Sequence, residues 1–78
     1  MKWTEIEFTL IDNQKQVIGT NSIFDVDSSH ELANLKVGQR TELDTKHGVK
    51  ECIVLKQDWG DYNIRGMLLT YELELVTS

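Results

Sequence analysis

This 78-residue chain lacks several features that stabilise or target small proteins. It contains no proline and a single cysteine, Cys52, so no disulfide can form within the chain. No apolar run approaches the ~20 residues that cross a membrane. Residues 1–5 have no apolar stretch, so we expect no signal peptide. With its one free cysteine, the sequence is expected to be that of a cytoplasmic protein, most simply a bacterial or phage-encoded one.

Basic residues are also scarce. Thirteen Asp and Glu residues outnumber eight Lys and Arg residues, which gives a net charge of −5. Nucleic-acid binding requires clustered Lys and Arg that displace counterions from phosphates, and anionic membrane surfaces attract the same residues. We therefore expect neither nucleic acid nor a membrane as a partner.

The composition is that of one small globular domain, residues 1–78. Hydrophobic residues make up 40% and charged residues 27% of the chain, unlike a disordered segment. A chain of this length buries roughly 60% of its unfolded surface, so its net stability is only a few kcal/mol. Oligomerisation is one way in which such a domain gains stability.

The clearest pattern lies in residues 67–76. Apolar residues alternate there with polar ones, with Met67, Leu69, Tyr71, Leu73 and Leu75 on one face and Thr70, Glu72 and Glu74 on the other. A helix would place the glutamates among the leucines, where their desolvation is costly. The alternation predicts a half-buried strand whose apolar face points inward.

Alternation and turn residues predict further strands upstream. These strands are residues 3–11, 15–20, 23–26, 40–43 and 49–57. Residues 12–14 have turn chemistry, so the first two strands should form a hairpin. Residues 52–55 are apolar on both faces, which is typical of a strand in the middle of a sheet.

Local details follow from the same pattern. Trp3 and Ile11 are expected on the glutamate face of the first strand, and Phe24 and Val26 on one side of the third. Gly19 is the expected position of a bulge.

One short helix is predicted near residues 29–35. Ser28 and Glu31 have the spacing of a capping box, and Leu32 and Leu35 lie one turn apart on one face. The helix has two turns at most and is either α-helical or 3₁₀. Together, these elements predict an all-β or nearly all-β fold: a small antiparallel barrel or strongly bent sheet of five to six strands. A sandwich of two small sheets is the alternative.

Motifs for metal ions are incomplete. The Asp-x-Asp-x-Ser pattern that begins at Asp25 is similar to the start of an EF-hand loop, but His30 and Lys36 replace the required glycine and glutamate. A zinc site would have to combine His30, His47, Cys52 and carboxylates, which lack the paired spacing of such sites. The sequence predicts no metal and no other cofactor.

Catalytic groups are not recognisable either. Cys52 lies in an apolar strand, where burial suppresses the reactive thiolate. His47 lies in a predicted turn beside Gly48, without a nucleophile or an orienting group. Because a domain this small has little volume for a pocket, we expect a protein that is not an enzyme.

Residues 58–63 are predicted to form a loop with two aromatic residues. Since Trp and Tyr are frequent interface anchors, Asp58, Trp59, Asp61 and Tyr62 are the candidate partner-binding residues. The favoured alternative is that Trp59 folds back and plugs one end of the barrel.

Three functions are compatible with this sequence. The first is a non-enzymatic protein-interaction module that uses the candidate residues of 58–62. The second is an acidic inhibitor or immunity-type protein, in which Asp25, Asp27, Asp58 and Asp61 share one face and occupy a basic site. The third is a small-ligand-binding barrel with an internal cavity. Strands that are apolar on both faces also predict a homodimer.

Overall fold

The computed structural model describes residues 2–45, 48–62 and 66–76. These residues form five strands and one 3₁₀ turn: β1 (Lys2–Ile11), β2 (Val17–Asp27), the 3₁₀ turn Glu31–Ala33, β3 (Arg40–Thr45), β4 (Gly48–Tyr62) and β5 (Gly66–Leu75). The all-β class, the bent sheet and the short helical turn predicted from the sequence are confirmed.

All five described strands belong to one sheet in the order β2-β1-β5-β4-β3, which curls into a half-barrel. Neighbouring strands are antiparallel except β1 and β5, which are parallel. The chain reverses its direction four times between these two strands, so β5 runs in the same direction as β1. The described residues therefore form a mixed sheet, and the sandwich alternative is wrong.

The hydrophobic core lies on the concave face of this sheet. Its buried members are Ile6, Phe8, Leu10, Val26, Ala33, Leu35, Leu43, Cys52, Val54, Leu69, Tyr71 and Leu73. The rings of Phe8 and Tyr71, which are paired across β1 and β5, stack at a centroid distance of 5.6 Å. The inward face predicted for 67–76 is confirmed, because Glu72 and Glu74 are only half-buried on the opposite side.

Strand β4 is longer than its sequence predicts. It continues through residues 58–62, so the loop predicted there is wrong; Asn63 lies outside the described residues. The register with β5 shifts between Val54 and Lys56, which makes Leu55 a bulge residue. The extra residue exchanges the two faces of the strand beyond it.

Strand β2 is continuous across the predicted break at 21–22. Phe24 and Val26 are not on one side: Phe24 is 60% exposed and Val26 is 8% exposed. Asp25 between them has φ +54°, and this left-handed conformation interrupts the alternation. The register shift near Gly19 leaves Ile18 as the unpaired residue, beside the predicted bulge.

Two other sequence predictions are corrected near the 3₁₀ turn. Trp3 packs against the core instead of standing with the glutamates. The turn begins with His30, whose Nδ1 accepts a hydrogen bond from the Leu32 N–H at 3.0 Å, and not with the predicted capping box.

Asp27 Oδ1 accepts hydrogen bonds from the N–H and hydroxyl of Ser29, which lower the pKa of the Asp27 carboxyl.

Candidate functional site

The segment that crosses from β2 to β3, residues 28–39, covers part of the concave face. The Leu35 N–H donates to Tyr71 Oη at 3.1 Å in a buried position. Gln57 Nε2 donates to Tyr71 Oη at 3.1 Å and to the Leu35 carbonyl at 3.2 Å. Three polar groups thus fix the crossover segment to β4 and β5.

The crossover segment ends with backbone hydrogen bonds to β4, on the side of that strand that faces away from β5. Gly38, with φ +91° in the region that favours glycine, donates its N–H to the Val54 carbonyl at 2.8 Å. The Val54 N–H donates to the Gln39 carbonyl at 2.9 Å, and β3 pairs with β4 only up to Ile53. Among the described residues, 56–62 have no backbone partner on the side away from β5, so they form a free strand edge.

The bulge determines which residues present their backbone at this edge. Val54 directs its backbone N–H and carbonyl away from β5, towards Gln39 and Gly38. After the one-residue shift at Leu55, the backbone N–H and carbonyl groups of Gln57, Trp59 and Asp61 also point away from β5. The Trp59 N–H donates to Asp58 Oδ1 at 2.9 Å, in agreement with this assignment. A side-chain carboxylate thus occupies one of the donors of the free edge.

The bulge also directs the Trp59 side chain to the concave face, opposite the buried Leu69. The hydrogen bonds described between the crossover segment and β4 reach only as far as Gln57, and Trp59 is 66% exposed. The interpretation of Trp59 as a plug is therefore wrong. Trp59 and Asp61 share the concave face, Asp58 lies on the convex face, and the side chain of Tyr62 is outside the described structure.

The convex face is acidic. Glu7, Glu72 and Asp58 surround a shallow depression together with Lys56. Nearby, Glu74 accepts a hydrogen bond from Lys15 Nζ at 2.8 Å, and this contact raises the pKa of Lys15.

The four aspartates of the inhibitor hypothesis lie on two different strands. Asp25 and Asp27 belong to β2, and Asp58 and Asp61 to β4. Two strands separate β2 from β4, which corresponds to about 14 Å across the sheet. Asp58 and Asp61 also lie on opposite faces of β4, so the prediction that the four aspartates share one face is wrong.

A groove of about 600 Å³ opens at the other end of the half-barrel, between β2 and β3. Phe8, Leu10, Leu43 and Leu75 contribute to its apolar lining, and Lys50 lies at its margin. The sequence argument that so small a domain has little volume for a pocket is wrong, because the sheet does not close.

Cys52 has no exposed surface, and its Sγ lies 3.5 Å from the Lys50 carbonyl. Burial, and to a smaller extent the Glu51 carboxylate, raise the pKa of the Cys52 thiol. A buried thiol with a raised pKa is a packing group and not a nucleophile.

We expect Cys52 to resist a thiol reagent such as DTNB at neutral pH in the native protein. The reaction should become fast only in denaturant, where the thiol is exposed and its pKa is normal. Labelling kinetics with and without urea measure the difference. A native labelling rate equal to the rate in urea would contradict the buried position.

Among residues 2–45, 48–62 and 66–76 there is no group of three or more His, Cys, Asp and Glu that could hold a metal ion. His47 lies outside these ranges, and Gly48, its neighbour in the predicted turn, is the first residue of β4. The described ranges contain no helix that could span a membrane.

In comparisons with known proteins, no family model, curated protein or solved structure matches this chain.

Proposed function

We propose that this chain is a cytoplasmic, non-enzymatic protein-interaction module that binds an extended segment of a partner protein along the free edge of β4. Exposed sheet edges bind peptides by strand addition, in which backbone hydrogen bonds give affinity and side-chain contacts give specificity. The observation that carries the proposal is the exposed Trp59 on that unpaired edge. A large aromatic residue in this position is a typical interface anchor.

The edge has the features that strand addition requires. A partner strand would pair with the backbone of Gln57, Trp59 and Asp61, and every second side chain of the partner would face the indole. A carbonyl of the partner would replace Asp58 Oδ1 on the Trp59 N–H, exchanging one exposed hydrogen bond for another. Because Asp61 shares the concave face with Trp59 and the Asp58 carboxylate lies at the strand edge, we propose a partner segment that carries Lys or Arg.

Peptides selected from a random phage-displayed library test this proposal. Binding of the selected peptides should weaken about tenfold or more in Trp59→Ala, the change expected when a hot-spot aromatic residue is lost. The melting temperature should stay within a few degrees of the wild type, because Trp59 is exposed. Val49→Ala is the matched control, since Val49 is an exposed apolar residue at the opposite end of β4.

Two results would contradict the proposal. Peptides that bind Trp59→Ala as tightly as the wild type would exclude the β4 edge as the site. Loss of stability comparable to that of a core variant would assign Trp59 a structural role.

An acidic inhibitor that occupies a basic site on a larger protein is the alternative function. The carboxylates of Glu7, Asp58 and Glu72 on the convex face support it. Binding of this kind would fall steeply with ionic strength and would be insensitive to Trp59→Ala.

A second alternative is a small-ligand-binding protein. The apolar groove between β2 and β3 supports this function, because its volume of about 600 Å³ is that of a small-molecule site. Binding of an apolar dye that Leu43→Trp abolishes and Trp59→Ala leaves unchanged would favour it.

A further inference from the structure

The sheet edge formed by β2 differs from the other exposed edges in its charge. Residues 16–24 contain no Asp, Glu, Lys or Arg, whereas β3 and the free part of β4 carry three charged residues each. Charged residues on an edge strand oppose pairing with a second copy of the same chain. The β2 edge lacks this protection over nine consecutive residues.

The same strand exposes large apolar side chains. Val17 is 62%, Ile18 46% and Phe24 60% exposed, and these are three of the six exposed large hydrophobic residues in the described ranges. Exposed apolar residues on an uncharged edge are typical of a strand that pairs with another strand, although β2 carries a bulge at Ile18.

We infer that β2 pairs antiparallel with β2 of a second copy of this chain, around a two-fold axis. With a net charge of −5, two copies repel each other over most of their surface. Antiparallel pairing of residues 16–24 places uncharged residues opposite uncharged residues. It thereby avoids the like-charge pairs that destabilise a sheet.

The charges that flank this stretch favour the same arrangement. Lys15, which forms an ion pair with Glu74 of its own chain but keeps a largely exposed side chain, precedes the uncharged residues, and Asp25 and Asp27 follow them. In an antiparallel pair, the Lys15 end of one copy lies beside the Asp25 end of the other. The two-fold axis repeats this opposite-charge contact at both ends of the interface.

The accessible surface area of the chain is larger than that of a compact monomer of the same mass. The surface area is 5477 Å², about 600 Å² more than the roughly 4,900 Å² expected for a compact monomer of 9.0 kDa. A standard protein interface buries about 800 Å² on each partner. The excess over the whole chain is thus comparable in size to the area that one partner buries in a standard interface.

Sedimentation equilibrium from micromolar to millimolar concentration tests the dimer. The wild type should reach twice the 9.0 kDa mass of the chain. Thr20→Lys, at an exposed position in the middle of the uncharged stretch, should weaken dimerisation about tenfold or more, because it places like charges near the two-fold axis. Val49→Lys introduces the same charge at an exposed apolar site on β4, outside the uncharged stretch, and should dimerise like the wild type.

A second variant, Ile18→Lys, keeps the test valid if circular dichroism shows that Thr20→Lys is unfolded. A wild type that is monomeric at every concentration would overturn the inference. Dimerisation that is equally strong in the folded lysine variants of β2 would also overturn it. The inference is independent of the proposed function, because Trp59→Ala changes peptide binding at β4 and leaves dimerisation through β2 unchanged.

Discussion

Replacement of Leu73 with alanine is expected to lower the free energy of unfolding by about 2–5 kcal/mol. Leu73 has no exposed surface and lies on the central strand β5, in register with Leu10 on β1 and Val54 on β4. The substitution removes apolar contacts with both neighbouring strands and leaves a cavity in the middle of the core. Because a domain of this size has a net stability of only a few kcal/mol, the variant should be largely unfolded at 37 °C.

Urea denaturation followed by circular dichroism measures this loss. Leu68→Ala is the matched control, since it makes the same change on the same strand but at a half-buried position on the opposite face. We expect Leu68→Ala to lose less than half as much stability as Leu73→Ala. Equal losses would mean that the inward face of β5 has been assigned incorrectly.

Removal of one hydroxyl group, in Tyr71→Phe, is expected to destabilise the protein by about 1–3 kcal/mol. The variant keeps the ring that stacks on Phe8. It leaves the buried N–H of Leu35 without its acceptor and removes one of the two acceptors of Gln57 Nε2. The crossover segment, residues 28–39, should therefore open more often than the rest of the sheet.

Hydrogen exchange at the Leu35 amide and thermal unfolding together measure this effect. Thr70→Val is the control, because it removes an exposed hydroxyl that donates to the Asp58 carbonyl at 3.2 Å. Its effect should lie within about 0.5 kcal/mol of zero. If the Leu35 amide exchanges as slowly in Tyr71→Phe as in the wild type, the hydroxyl does not hold the crossover segment.

The central strands were predictable because each is buried on one face only. Burial of one face makes apolar and polar residues alternate along the strand, and this alternation is clear in residues 3–11 and 67–76. Alternation carries no information on strand direction, however, so the parallel pairing of β1 with β5 was not predictable. The sequence predicts that residues 52–55 are buried on both faces; Cys52 and Val54 are buried, whereas Ile53 and the bulge residue Leu55 are only half-buried.

The candidate partner-binding residues of 58–62 are predicted to lie in a loop, whereas they belong to strand β4. Asp58, Gly60 and Asp61 have turn composition, yet a free edge strand needs no apolar alternation because little covers it. The exposure of Trp59 depends on where the crossover segment ends, which is a tertiary property. The uncharged stretch of β2, in contrast, is visible in the sequence, but the absence of charge does not disturb a strand pattern and so gives no signal of an edge.

The central position of β5 also has a consequence for biosynthesis. The β1–β2 and β3–β4 hairpins share no ladder with each other, and β5, the last strand of the sheet to leave the ribosome, joins them. Isolated two-stranded hairpins are marginally stable in water. During translation the nascent chain should therefore remain unfolded until residues 66–75 have emerged from the exit tunnel, and nascent chains arrested before that point should be sensitive to protease.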